Sequence, residues 1–182
     1  QSIETPHLDS LAAMGVRFTQ FYAGSAVCSP SRACLLTGKF PLRFNVRQHF
    51  RDSVDHLPTT AQTLPEMLGE VGYATAHIGK WHLGGLRLSD INRRQEGREA
   101  IPGPLQQGFD HYLTNTEGAP TRPRLIQERK LYREGGKYLL RNDEQAPPIN
   151  KHWTEIKVDE AISLIDGWQS KDQPFFLNLW FD

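Results

Sequence analysis

An α/β fold, with a mostly parallel central sheet flanked by helices, is what this 182-residue chain predicts, and three observations carry the prediction. A helical pattern opening at Thr59-Thr60 runs through Leu64, Met67, Leu68 and Val71 to Gly72. It meets a short apolar stretch, Tyr73 to Ile78, with no room for a long loop: the tight αβ unit of a parallel sheet covered by helices. Phe175 to Phe181 is almost continuously apolar, as in a strand buried on both faces. Before it, Trp153, Ile156, Val158, Ala161, Ile162, Leu164, Ile165 and Trp168 recur at helical spacing.

Composition narrows the partners. Twenty-one basic residues balance twenty-one acidic ones, so the net charge is zero and broad electrostatic attachment to nucleic acid or an anionic membrane is excluded. A hydrophobic fraction of 38% without an apolar run of spanning length predicts one globular domain with a real core and no membrane partner. Cys28 and Cys34 lie six apart on one predicted helix, point in different directions, and are expected to stay unpaired. The chain opens without methionine and stops directly after its last strand; residues 1–182 are read as part of one catalytic domain, incomplete at both ends.

Taken in order, Thr5 is an N-cap, Pro6 a first helical residue, Leu8, Leu11 and Ala12 an apolar stripe, and Gly15 a stop. Val16 to Ala23 alternates as a strand would. Ser29 reads as the N-cap and Pro30 as the first residue of the next helix, with Leu35 and Leu36 facing the core and Gly38 closing it. Residues 39–58 have no period and form a loop, in which His49 and His56 read as solvated histidines. Residues 85–104 read as a surface excursion, and His111 to Thr114 as a strand. Lys130 to Arg133 and Lys137 to Leu140 flank Glu134-Gly135-Gly136 as a hairpin outside the main sheet, followed by a polar connector from Arg141 to Asn150.

Two places carry chemistry. Cys28 sits just ahead of a helix N-terminus, whose free N–H groups and macrodipole favour an anion, and Arg32 lies one turn in. A helix start and a guanidinium both favour thiolate, so a reactive or modified cysteine is one reading and an inert buried one the other. Lys80 and His82 follow the strand ending at Ile78, at the sheet edge where α/β folds place ligands. If this segment is extended, both project to one side and Trp81 to the other.

Cys28, Pro30, Arg32, Leu35, Leu36, Thr37 and Gly38 together resemble the motif of type I sulfatases in which the cysteine is oxidised to formylglycine. Gly79-Lys80-Trp81-His82-Leu83-Gly84 is similar to a second motif of that family, and the segments at Thr5, Gly108 and Pro174 also look familial. The resemblance implies an alkaline-phosphatase-like fold and a sulfuric ester hydrolase acting on a sulfated carbohydrate or aryl sulfate. It gives Cys28, as formylglycine hydrate, the nucleophile's role; Arg32 holds the hydrate, Lys80 binds the sulfate, and His82 assists proton transfer. It further implies a Ca2+ ion with formylglycine at Cys28 among its ligands and the others outside this chain. A formylglycine-generating maturation enzyme is an implied partner, and the family's settings are secreted, periplasmic or lysosomal. A phosphonate or phosphate ester hydrolase of the same superfamily, and a non-catalytic paralogue with binding function, are the alternatives.

Overall fold

The computed structural model describes residues 3–50, 55–116, 139–147, 149 and 151–181. Among them one mixed sheet runs β4-β3-β2-β1-β5. Its strands are β1 (Ala74–Gly79), β2 (His111–Asn115), β3 (Leu139–Arg141), β4 (Glu144–Gln145) and β5 (Phe175–Trp180). β1 pairs in parallel with β2 on one side and β5 on the other, whereas β3 and β4 add antiparallel. The helices are α1 (Pro6–Met14), α2 (Cys28–Thr37), α3 (Leu64–Glu70), α4 (Leu88–Gln95) and α5 (Trp153–Gln169).

Strand alternation divides the core. On one face Trp81, Tyr112 and Phe109 pack with Leu36 of α2, and with Phe176 and Trp180 of β5. On the other, Ile78 and Leu113 pack against Trp153, Ile156 and Ala161 of α5. The predicted parallel sheet with helices on both faces therefore holds at β1, the most buried strand. β5 does not match its reading as buried on both faces: only Asn178 is buried, because β5 has a neighbour on one side only among the described residues.

Local chemistry explains where the other expectations moved. α3 begins at Leu64 rather than at Thr59, because Thr63 forms a reciprocal capping box with Glu66 while Pro65 occupies the first turn. In α2 the cap is Val27, not Ser29, so Cys28 is the first helical residue instead of standing outside the helix. The Ser29 hydroxyl is drawn away to tertiary partners, and Leu36 is buried while Leu35 is exposed. Val16 to Ala23 forms no strand: Val16, Phe18, Phe21 and Tyr22 face solvent and pair with nothing in the sheet, as does the α1 stripe.

The stretch 85–104 is more than a surface excursion, since it contains α4 with Asp90 and Ile91 buried. Arg94 of α4 grips Asp143 through two hydrogen bonds of 2.8 and 2.6 Å. Asp143 also accepts from the Tyr112 hydroxyl at 2.6 Å, and burial together with that carboxylate drives the phenol's pKa upward. Asn142 and Asp143 both have positive φ, the turn that joins β3 to β4. Leu139–Arg141 thus belongs to the main sheet, contrary to the expected separate hairpin; the rest of that hairpin lies outside the described residues. No helix among the described residues is long and apolar enough to cross a membrane.

Candidate active site

The site forms where the N-terminus of α2 meets the loop leaving β1. No side chain caps α2 and no acidic residue occupies its first turn, so the end of this ten-residue helix keeps its N–H groups and positive pole for another anion. Gly79 makes the meeting possible. It ends β1 at φ 103°, and a Cβ there would fall 1.8 Å from the Trp180 carbonyl oxygen. The chain then turns toward α2, carrying the half-buried Lys80 to Nζ–Sγ 3.6 Å from Cys28. The Lys80 carbonyl accepts a 2.5 Å hydrogen bond from Arg32 Nη1, so one residue contacts Cys28 and anchors Arg32.

His82 is not reached by an extended chain as expected. Its φ is 56°, which breaks the alternation assumed for Lys80 and His82, while Trp81 is buried and donates to the Gly84 carbonyl at 3.0 Å. Phe50 and Ser29 hold the resulting turn: Ser29 Oγ donates to the His82 carbonyl at 2.8 Å and accepts from the Phe50 N–H at 2.9 Å. The Phe50 carbonyl lies 3.1 Å from His82 Nε2. A carbonyl can only accept, so Nε2 carries the proton and Nδ1 is left with its lone pair, buried and without a hydrogen-bond partner among the described residues. Burial lowers the His82 pKa, with the charges of Lys80, Arg32 and His49 acting in the same direction against the Phe50 hydrogen bond.

Cys28 and Arg32 open onto a cavity of about 360 Å³ bounded by Ala26, Ser31, Trp180 and Phe181. Arg32 and the α2 N-terminus line it, and Lys80 adds a second cation beside Cys28, so this is a pocket for an anion. It is not by itself a calcium shell. Among the described residues no three His, Cys, Asp or Glu side chains converge on a metal position, and no carboxylate hydrogen-bonds Cys28, Lys80 or His82. Ca2+ requires six to eight oxygens.

The Sulfatase family profile matches residues 1–182. The chain belongs to the sulfatase family. It is 34% identical to dog N-acetylgalactosamine-6-sulfatase over 97% of this chain and 34% of that protein. Mouse arylsulfatase G is 51% identical over 96% of this chain and 35% of its own length. Among solved structures, BT4656 in complex with its substrate D-glucosamine-2-N,6-O-disulfate superposes with a TM-score of 0.65 at 31% identity, covering 97% of this chain and 29% of that one. The fold is the alkaline-phosphatase-like fold of these sulfatases, and the chain spans about a third of the length of the relatives it matches.

Within this sulfatase chain Lys80 touches Cys28 through its ammonium and Arg32 through its carbonyl, and His82 lies on the same loop as Lys80. Both cysteines are free, and Cys34 packs where a Cβ on Gly24 would come 2.3 Å from its sulfur. Sequence reasoning missed three neighbours. His49, read as a solvated loop histidine, is half-buried with its ring 6.1 Å from that of His82. Phe50 contributes through its backbone, which no side-chain pattern reveals. Trp180 looked like core but stands over Arg32, its ring centroid 4.2 Å from the guanidinium carbon.

Proposed function

We propose that the full-length protein is a sulfuric ester hydrolase that cleaves a sulfate monoester of a carbohydrate or an aryl alcohol through formylglycine at position 28. The observation that carries this reading is the contact of Lys80 Nζ with Cys28 Sγ at the uncapped start of α2. The thiol sulfur stands in for the aldehyde oxygen, and in the hydrated form the two hydroxyls, of the matured residue. One hydroxyl of that hydrate attacks sulfur and the alcohol departs with a proton. The sulfated hydrate then loses sulfate as its second hydroxyl gives up a proton, and the aldehyde returns. Lys80 and the α2 N-terminus hold the sulfuryl oxygens, Arg32 holds the hydrate, and His82 Nδ1, the unengaged lone pair, accepts the proton.

Carbohydrate sulfates are favoured because one relative is named for N-acetylgalactosamine-6-sulfate and another matched structure holds a glucosamine disulfate; arylsulfatase G keeps aryl esters in view. Residues 1–182 would be part of one catalytic domain, and the full-length protein would use Ca2+ held mainly by ligands outside the described residues. A formylglycine-generating enzyme would mature Cys28, and the full-length protein would work in a secreted, periplasmic or lysosomal setting.

Peptide mass spectrometry of the full-length protein, made in cells with a maturation system, should find formylglycine at position 28. That preparation should hydrolyse sulfate monoesters faster than phosphonate or phosphate diesters of the same alcohol. An unmodified thiol in an active preparation, or a preference for the phosphorus ester, would refute the reading.

A further inference from the structure

Two contacts bear on the direction of the Arg32 guanidinium. Nη1 donates to the Lys80 carbonyl at 2.5 Å, and the guanidinium carbon sits 4.2 Å from the centroid of the Trp180 ring. A guanidinium over an indole face is attracted by the ring quadrupole, and tryptophan has the strongest such face among side chains. We propose that Trp180 is the positioning residue for Arg32: its ring, braced by His77 and Asn178, sets the direction in which the guanidinium meets the group at Cys28. The inference rests on the role proposed above for Arg32, holding the hydrate at position 28 with its charge beside the anion pocket.

Trp180 is unusually well fixed for a half-exposed side chain. Its carbonyl accepts from the Lys80 N–H at 3.3 Å and from Lys157 Nζ at 3.3 Å, a close approach that the missing Cβ of Gly79 permits. The pairings His77 with Asn178 and Gly79 with Trp180 place His77, Asn178 and Trp180 on one face of the sheet. There the His77 ring meets Trp180 at 5.2 Å and 77°, an edge contact. His77 cannot drift: it is wholly buried, Asn178 Nδ2 donates to its Nδ1 at 3.0 Å, and its Nε2 donates to the Gly79 carbonyl at 3.2 Å. Rings of Trp81 and Phe109 hold it from two further sides. A tryptophan serving only as core filler has no reason to line the Cys28 cavity, yet Trp180 does.

The test is a double-mutant cycle in the full-length protein, reading calorimetric affinity for inorganic sulfate and kcat/KM for an aryl sulfate. Trp180→Leu keeps bulk without a π face and is expected to weaken sulfate about ten-fold, while Trp180→Phe should lose less than about three-fold. In an Arg32→Ala background the Leu change should add less than about two-fold, since its partner is gone. Equal losses in both backgrounds, or no loss for Trp180→Leu, would overturn the proposal. So would a rise in KM for the aryl ester with unchanged sulfate affinity, which would make Trp180 a substrate platform. Should Trp180→Leu fail to fold, Trp180→Phe crossed with Arg32→Lys carries the cycle, with an expected coupling of about two-fold.

The two readings fail separately. Coupling on sulfate binding without turnover of any sulfate ester would remove the hydrolase reading alone. Turnover without coupling would remove the positioning role alone, and a parent that neither binds sulfate nor cleaves an ester would remove both.

Discussion

Lys80 shows most directly what each side chain contributes. If its ammonium stabilises charge developing on the sulfuryl oxygens, Lys80→Ala in the full-length enzyme should lower kcat/KM by about 100-fold or more, the scale of losing one preorganised donor, roughly 3 kcal/mol. Steady-state kinetics on a sulfate monoester checks this. His82→Ala should act mainly on kcat. Because burial and the neighbouring charges of Lys80 and Arg32 lower the His82 pKa below its ordinary 6.5, the imidazole stays neutral, and able to accept a proton, into mildly acidic solution. The acid limb of the kcat profile should therefore lie below pH 6.5, and its disappearance in His82→Gln would assign it. A limb above that value would mean that Nδ1 is not the base.

At the scale of elements, the αβ unit α3–β1 and the parallel pair β1–β5 set the site's geometry. Gly79 is the joint: a methyl group there would overlap the Trp180 carbonyl and demand a left-handed φ of an L residue. Gly79→Ala should part the end of β1 from β5 and cost about 3 kcal/mol or more, read as a lower denaturation midpoint together with lost activity. Thr63→Ala should cost about 1–2 kcal/mol, since Thr63 caps α3 and also donates to the Gln107 carbonyl at 2.8 Å, yet it should leave kcat nearly unchanged. Comparable effects on kcat and stability would show that α3 reaches the site. Both positions are legible in the sequence in part: the capping residues Thr63 and Glu66 stand three apart, but Thr59-Thr60 offers a competing helix start. Gly79 was visible as part of a motif, while the carbonyl that forbids its Cβ comes from residue 180.

For the whole molecule, a buried histidine and a half-buried carboxylate make acid the expected weakness. His77 is held near a pKa of about 3 by burial and the nearby Arg32, below its unfolded value of 6.5. The folded state thus refuses a proton that the unfolded chain accepts. Stability should fall by up to about 1.4 kcal/mol per pH unit between those values. Glu160 adds to this lower down. Burial raises its pKa, but hydrogen bonds from His111 at 2.8 Å and Arg141 at 2.9 and 2.7 Å outweigh that and hold it at about 2. Its stabilisation is present above the ordinary 4.5 and is lost as pH falls through about 2. Urea titrations across pH should show the loss beginning below 6.5, with a shallower slope in His77→Gln; an unchanged slope would exclude His77. Chelation of divalent ions should abolish turnover by the full-length protein and added Ca2+ should restore it, as followed by activity and by isotope-dilution metal analysis.

The local and periodic features of this chain are written in its residue order. The αβ unit at Tyr73, the helix from Trp153 and the strand from Phe175 follow from the spacing of apolar residues, which backbone geometry translates directly into faces. The motifs around Cys28 and Lys80 were legible because their residues are contiguous. Tertiary structure alone decided which neighbours those motifs would have. Ser29 gave up its expected cap because Phe50 and His82 offered its hydroxyl two better-placed partners. Val16 to Ala23 alternates correctly but finds no strand to pair with among the described residues, and a strand's hydrogen bonds must come from a neighbour. Arg32 came to lie on Trp180, 148 residues away, because parallel pairing brings Gly79 level with Trp180, a contact between distant segments that no local pattern encodes.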